Sequence, residues 1–231
     1  MENINNKNNM QENNQSESHS MASVAVKLIQ ESRLDNDFYF MLIISAIIAT
    51  AGLLMGSASV VIGGMLLAPL LTPILTLALG VVTSEKPAVF RSLFIIGKSS
   101  VIVLGISFLV SFLINLDNLQ NPEIIQRIQP SLLYMYVALF SGAGAAYAWT
   151  KPNLSASMPG VAVSVAVLPP LCTVGIGLSF LDKAIIAGSL QIFIINLIGI
   201  AVSSAVVFAF LGFFKVRGIE RREIEKEKIG E

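Results

Sequence analysis

Two pairs of prolines lie deep inside apolar sequence. Pro69 and Pro73 fall in SASVVIGGMLLAPLLTPI (57–74), and Pro169 and Pro170 in SASMPGVAVSVAVLPPLCTVGI (155–176). A proline within a helix donates no amide and pushes away the carbonyl four residues earlier. Pro69 therefore frees the carbonyl of Met65, and Pro169 and Pro170 free those of Val165 and Ala166. In hydrocarbon such an oxygen must face protein, water or a bound ion. Thr72, Thr76 and Thr173 stand close enough to share that work. A single proline reads best as a patched kink. Paired interruptions at corresponding places favour a lined pathway.

Other polar residues reinforce or compete with this. Ser57, Ser59, Ser155 and Ser157 precede or open the two apolar stretches, where they would cap first-turn amides. The same positive helix ends would attract an anion. Lys98 is an intramembrane charge seven residues into its run, either functional or snorkelling to the headgroups. Asn196 and Gln191 sit well inside the last apolar run, as packing links between helices or as pathway lining. Superposing the halves on Ser92-Leu93 and Ser189-Leu190 brings Lys98 and Asn196 within one position, so both are expected near one midplane region. Cys172 reads as a small apolar filler beside the double proline.

The elements that would position these residues follow from composition. Of 231 residues 54% are apolar and 13% charged, and of the 30 charged residues nine lie in 1–37 and eleven in 215–231. The ten that remain cannot build a water-facing surface over the stretch between, which excludes a soluble globular enzyme. The fold class expected is an all-α integral membrane protein with six transmembrane helices. Against the length of about 20 residues needed to cross a bilayer, the spans run Tyr39–Gly56, Ala58–Val82, Arg91–Ile114, Leu132–Trp149, Met158–Leu181 and Ala184–Phe214. The last is long enough to require strong tilt, protrusion or a break. Around them lie a disordered polar tail (1–21), a short amphipathic or linker segment (22–37), an extracytoplasmic connection (115–131) and a charged cytoplasmic tail (215–231). Segments 38–114 and 132–214 each hold three spans.

The two proline stretches occupy the same place in each half, after one span and before another. Two repeats of three spans enter the membrane with opposite orientation, the inverted plan in which interrupted helices, here 2 and 5, meet near the midplane. Counting Lys and Arg in the connections gives twelve on the side of the termini and two, Arg127 and Lys183, on the other. Both termini are therefore expected in the cytoplasm of a multi-pass plasma-membrane protein.

At these residues the chain resembles a prokaryotic membrane family known as domain of unknown function 389. The resemblance rests on Gly52-Leu53, on VVIGGMLLAPLLTPI (60–74), on PGVAVSVAVLPPL (159–171) and on Asn196, and covers roughly 35–212. The chain departs from the family pattern at Gly64, often Ala there, and at Thr72, often Gly. The resemblance implies the membrane fold and carries no activity with it.

Several chemistries are excluded by the residues themselves. His19 is in the tail, one cysteine forbids a cysteine cluster or internal disulfide, and net charge is zero. No metal site, cofactor or nucleic-acid partner is expected. Glu85, Asp117, Glu123 and Asp182 all fall in connections, so a carboxylate proton relay has no members inside the spans. With no nucleophile-base pair, the protein is not expected to be an enzyme. The expectation is a transporter or channel for a small solute or inorganic ion, with its pathway between spans 2 and 5 and the lipid bilayer as surroundings. The alternative is a non-transporting scaffold or sensor acting through its cytoplasmic tails. Six thin spans enclose little interior, so a homo-oligomer is expected.

Overall fold

The computed structural model describes residues 21–114, 121–151, 159–216, 218 and 224–225, with 159–166 and 216 described by backbone course alone. The described residues form helices and connections without a strand. Helix α1 (21–31) is followed by α2 (Asn36–Leu54), whose first turn is capped by the Asp35 carboxylate accepting from Phe38 N–H at 2.8 Å. Next come α3 (Ala58–Leu66), α4 (Leu71–Thr83), the long α5 (Lys86–Ile114) and the one-turn α6 (Pro122–Ile125). The chain continues through α7 (Leu132–Trp149), α8 (Pro159–Ser179), α9 (Lys183–Phe210) and a 3-10 turn, Phe213–Val216.

Helices α2, α5, α7 and α9 are each long and apolar enough to cross a bilayer. The pair α3 and α4 passes the same test together, bent by 58° at the break between them. Large apolar side chains such as Phe94, Phe112, Phe140 and Phe210 point outward. Water would not tolerate that surface, and lipid does.

Small residues set the spacing inside. A Cβ on Gly52 would meet the Val61 amide nitrogen at 2.6 Å, and one on Gly64 would meet that of Ala49 at 2.6 Å. These contacts lock α2 and α3 as an antiparallel pair at backbone distance. Gly142 does the same for α7 against Ser203 and Ile200 of α9, where Ser204 Oγ also donates to Gly142 O at 2.9 Å. Without a hydrophobic drive between helices in lipid, such close packing and shared hydrogen bonds hold the bundle together.

Contacts sort the bundle into two ends. At one, Arg91 at the start of α5 donates to Ser32 Oγ and Ile29 O of α1, and the Lys27 ammonium lies over the Trp149 ring at the end of α7. Ile224 of the C-terminal segment is buried there with Ile29 and Ala88. At the other end, Asn121 donates to Leu53 O at the close of α2, and Ser189 near the start of α9 donates to Arg127 O.

Three expectations need correction. Span 5 is not interrupted: α8 runs as one helix through Pro169 and Pro170. Both rings are buried, and Thr173 Oγ1 donates to Pro169 O at 2.8 Å. Prolines have a helical φ, so close packing on both flanks keeps the helix straight although two ladder bonds are missing. Next, the Met65 carbonyl is not left free at the span-2 break. The chain tightens as α3 ends, and Ala68 N–H donates to Met65 O at 3.1 Å. Finally, the last long span has no break. Helix α9 is continuous over 28 residues and stops at Leu211–Gly212, where Gly212 takes φ +81°.

Candidate functional site

Four helix registers converge on one level of the bundle. On α2 and α3, five residues beyond the Ala49–Gly64 contact bring Pro69 level with Ile44, the middle of α2. Helices α4 and α5 touch at Gly80 and Ala88, where a Cβ would meet the Ala88 Cβ at 3.0 Å. Eleven residues along this antiparallel pair, Pro69 comes level with Ser99. Helices α5 and α8 run parallel, with Gly175 against Ser107 (2.6 Å to its Cβ) and the Ser111 and Ser179 hydroxyls bonded at 2.8 Å. Eight residues back from that contact, Ser99 comes level with Val167, next to Ala166 and Val165. Helix α9 returns antiparallel to α8 from the Gly177–Ile185 contact, and eleven residues along it Asn196 comes level with Ala166. The α3–α4 break, the two carbonyls ahead of the double proline, Ser99 and Asn196 thus share one level.

The polar groups here are buried. Ser99 has no exposed surface and Asn196 only 1%. The Ser99 hydroxyl makes no hydrogen bond, and neither does that of Ser92, two turns nearer the α1 end. Both belong to a buried stripe on α5 at 92, 99, 103, 107 and 111, the seven-and-four spacing of one helix face. Its other half is saturated. The Ser107 and Thr50 hydroxyls bond at 2.8 Å, Thr50 Oγ1 donates to Ala46 O, and the Cys172 thiol lies within reach of both hydroxyls. Ser111 pairs with Ser179. Along one stripe, hydroxyls are partnered from Ser107 to the α6 end and unpartnered at Ser99 and Ser92. Burying a hydroxyl without a partner costs on the order of 1–3 kcal/mol, so these two are the stripe's expensive positions.

The residues singled out by sequence distribute unevenly. Pro69 is inside the break, whereas Pro73 is the third residue of α4, where a helix asks no amide of it. Thr72 and Thr76 do not serve the break. Thr72 Oγ1 donates to Glu31 O and Thr76 Oγ1 to Leu28 O, each at 3.2 Å, so they hold the end of α1 against α4. Ala25 and Leu28 are fully buried by this docking. Ser57 occupies the N-cap position of α3, but its hydroxyl makes no capping bond, and Ser59 is exposed. Ser155 and Ser157 lie outside the described residues. Lys98 and Asn196 do not meet: Lys98 is exposed on the outer face of α5, its ammonium donating to Tyr39 Oη and lying 4.9 Å from that ring. Lys98 and Ser99 are neighbours in the chain and point to different surroundings.

Sequence reasoning passed over Ser92, Ser99, Ser107 and Thr50. The heptad step from Ser92 to Ser99 was a visible signal, but serine is so common in membrane helices that it discriminates only once packing shows which face is buried. At the α1 end, a groove of about 530 Å³ is lined by Leu34, Phe90, Arg91, Phe94 and Ile224 among others. It is apolar apart from Arg91, which is turned to α1. Among the described residues no group of three His, Cys, Asp or Glu side chains is placed to hold a metal ion.

The fold and this buried seam define a helical, membrane-embedded protein with a broken helix and a polar level at mid-bundle. The chain belongs to the family described as domain of unknown function (DUF389), whose model matches residues 65–202. It is similar to uncharacterized protein MJ0678 of Methanocaldococcus jannaschii, with 29% identity over 197 residues, 84% of this chain. The match spans 60% of that relative's length. No solved structure matches the chain.

Proposed function

We propose that the protein is a transporter or channel for a small solute or inorganic ion, whose pathway runs between the α3–α4 break and α8. One observation carries the reading: the break, the proline-deprived carbonyls, Ser99 and Asn196 share a level at the middle of the bundle. Irregular backbone at that depth is tolerated where it lines a cavity or is enclosed by protein. In this reading α8 is the fifth of six spans. The direction of the helices supports two inverted halves: α2 leads from the α1 end to the α6 end and α7 leads back, as do α5 and α9. The termini are cytoplasmic, the membrane is the plasma membrane and the assembly is a homo-oligomer. No chemistry is performed on the solute.

The test is flux in proteoliposomes over a panel of monovalent ions, halides and small neutral solutes. A Pro169→Ala, Pro170→Ala double variant should change the flux of the solute carried. Absence of wild-type flux for the whole panel overturns the reading.

A second reading, a sensor or scaffold working through its tails, is favoured by the docking of both terminal segments at one end, α1 on Thr72, Thr76 and Arg91 and Ile224 on Ile29 and Ala88. It requires that deletion of 215–231 abolish the cellular phenotype while proline variants preserve it.

A further inference from the structure

We infer that the seam between α5 and α8 at Ser99 binds a dehydrated monovalent cation of sodium size, held by Ser99 Oγ and the main-chain carbonyls of Val165 and Ala166. This deepens the transport reading and rests on the same convergence of levels.

The chemistry follows from what each group lacks. Pro169 and Pro170 have no N–H, so the carbonyls of Val165 and Ala166 receive no ladder bond from α8. Ser99, brought to the same level by the parallel register of α5 and α8, is fully buried, and its hydroxyl has no hydrogen bond. Three oxygens short of partners thus occupy one stretch of a seam whose other hydroxyls, at Ser107 and Ser111, are all paired. Water or a cation satisfies such a set, whereas an anion would face carbonyl lone pairs. Hard cations choose oxygen ligands, and rings of backbone carbonyls replace the hydration shell of monovalent ions in channel filters.

Charge decides the valence. No Asp or Glu lies in the apolar runs, and the cost of burying an ion rises with the square of its charge, so neutral oxygens alone suit a single charge. Lys98, the one ammonium at this level, is drawn away onto Tyr39, so no fixed positive charge competes for the space. At the α3–α4 break the carbonyl end of one helix meets the amide end of the next. Their dipoles oppose, which leaves the choice of ion to the α8 carbonyls. Ser92, unpartnered and two turns nearer the α1 end, marks the side from which the ion would arrive. The Thr50–Ser107–Cys172 group closes the other side.

The experiment is the thermal stability of the full-length protein in nanodiscs, titrated with NaCl against choline chloride at constant ionic strength, alongside equilibrium binding of radioactive sodium. The wild type should be stabilised saturably by sodium. Ser99→Ala removes a ligand and an unsatisfied hydroxyl together, so it should be at least as stable as wild type in choline and bind sodium about tenfold more weakly. Pro169→Ala gives the Val165 carbonyl its missing N–H and should act in the same direction, again without loss of stability in choline. Ser100→Ala should leave binding unchanged, because that hydroxyl already donates to Ile96 O on the partly buried side of α5. A wild type indifferent to sodium overturns the inference and leaves water as the occupant. Sodium binding that survives both Ser99→Ala and Pro169→Ala overturns the placement. Sodium binding without flux of any solute would sink the transport reading alone, and flux with no sodium binding would sink this inference alone.

Discussion

The two proline stretches differ less in sequence than in what became of them. In the first, one buried-level proline accompanies a full break: α3 stops at Leu66, α4 starts at Leu71, and the axes differ by 58°. In the second, two consecutive prolines sit inside an unbroken helix. An isolated helix would lose on the order of 3 kcal/mol for each interior proline, so composition alone would rank the second stretch as the more disrupted. The difference lies in the neighbours. Helix α8 is clamped on both sides of its prolines, by Gly175 against Ser107 and Leu104 and by Gly177 against Ile185. Helix α4 is drawn elsewhere, by Thr72 and Thr76 to α1 and by contact with the 3-10 turn after α9. Proline permits a break, and packing decides whether the permission is used.

The largest expected effect attacks the clamp on α8. Gly175→Val would drive a side chain into Ser107 and the Leu104 carbonyl, at 2.6 and 2.9 Å from the Cβ alone. It should destabilise the protein by about 3 kcal/mol, read as a large fall in melting temperature in detergent. Gly105→Val, with nothing within 4 Å of its Cβ, is the contrasting variant and should be nearly silent. Equal effects would mean that the seam does not support α8.

A second test addresses the break. Spin labels at the exposed Ile62 and Val81, one on each side of it, report the bend. Pro69→Ala should leave their distance unchanged, because α4 is held by α1 rather than by the proline ring. A longer, straightened distance would return the cause to Pro69 and undo the comparison.

Third, Thr72→Val with Thr76→Val removes both hydroxyl bonds to α1. The loss should be about 2 kcal/mol of docking free energy at roughly 1 kcal/mol per bond. In a Cys172→Ala background, a cysteine at the fully buried position 25 should pass from protected to rapidly labelled.

The smallest effect concerns pH. Burial raises the Glu31 carboxyl above its ordinary value, and Lys27, at 3.7 Å, only partly offsets that. A raised folded-state pKa means that the docked state holds the proton more tightly than the released one. Docking is therefore strongest below the ordinary carboxylate range and weakens as pH climbs through the raised value. The side chain is about half exposed, so the change should be slight: labelling at position 25 should rise a little with pH, and Glu31→Gln should abolish the rise. A rise that persists in Glu31→Gln would assign it to another group.

Much of this molecule was legible from composition and spacing. The apolar runs fixed the positions of α2, α5, α7 and α9 to within a few residues, because hydrocarbon demands long, internally bonded helices whatever their neighbours. The break near Pro69 was legible too, as was family membership from the two proline motifs. The straightness of α8, the capture of Thr72 and Thr76 by α1, and the outward turn of Lys98 onto Tyr39 were not, since each depends on which helix happens to lie alongside.

Backbone chemistry is local, so the sequence alone determined which segments are helical and which carbonyls, those of Val165 and Ala166, no proline amide can reach. Whether a deprived oxygen meets a hydroxyl, a neighbouring helix or an ion depends on register between segments far apart in the chain. Only the tertiary structure could bring Ser99 to the level of the double proline, while its sequence neighbour Lys98 was left facing out.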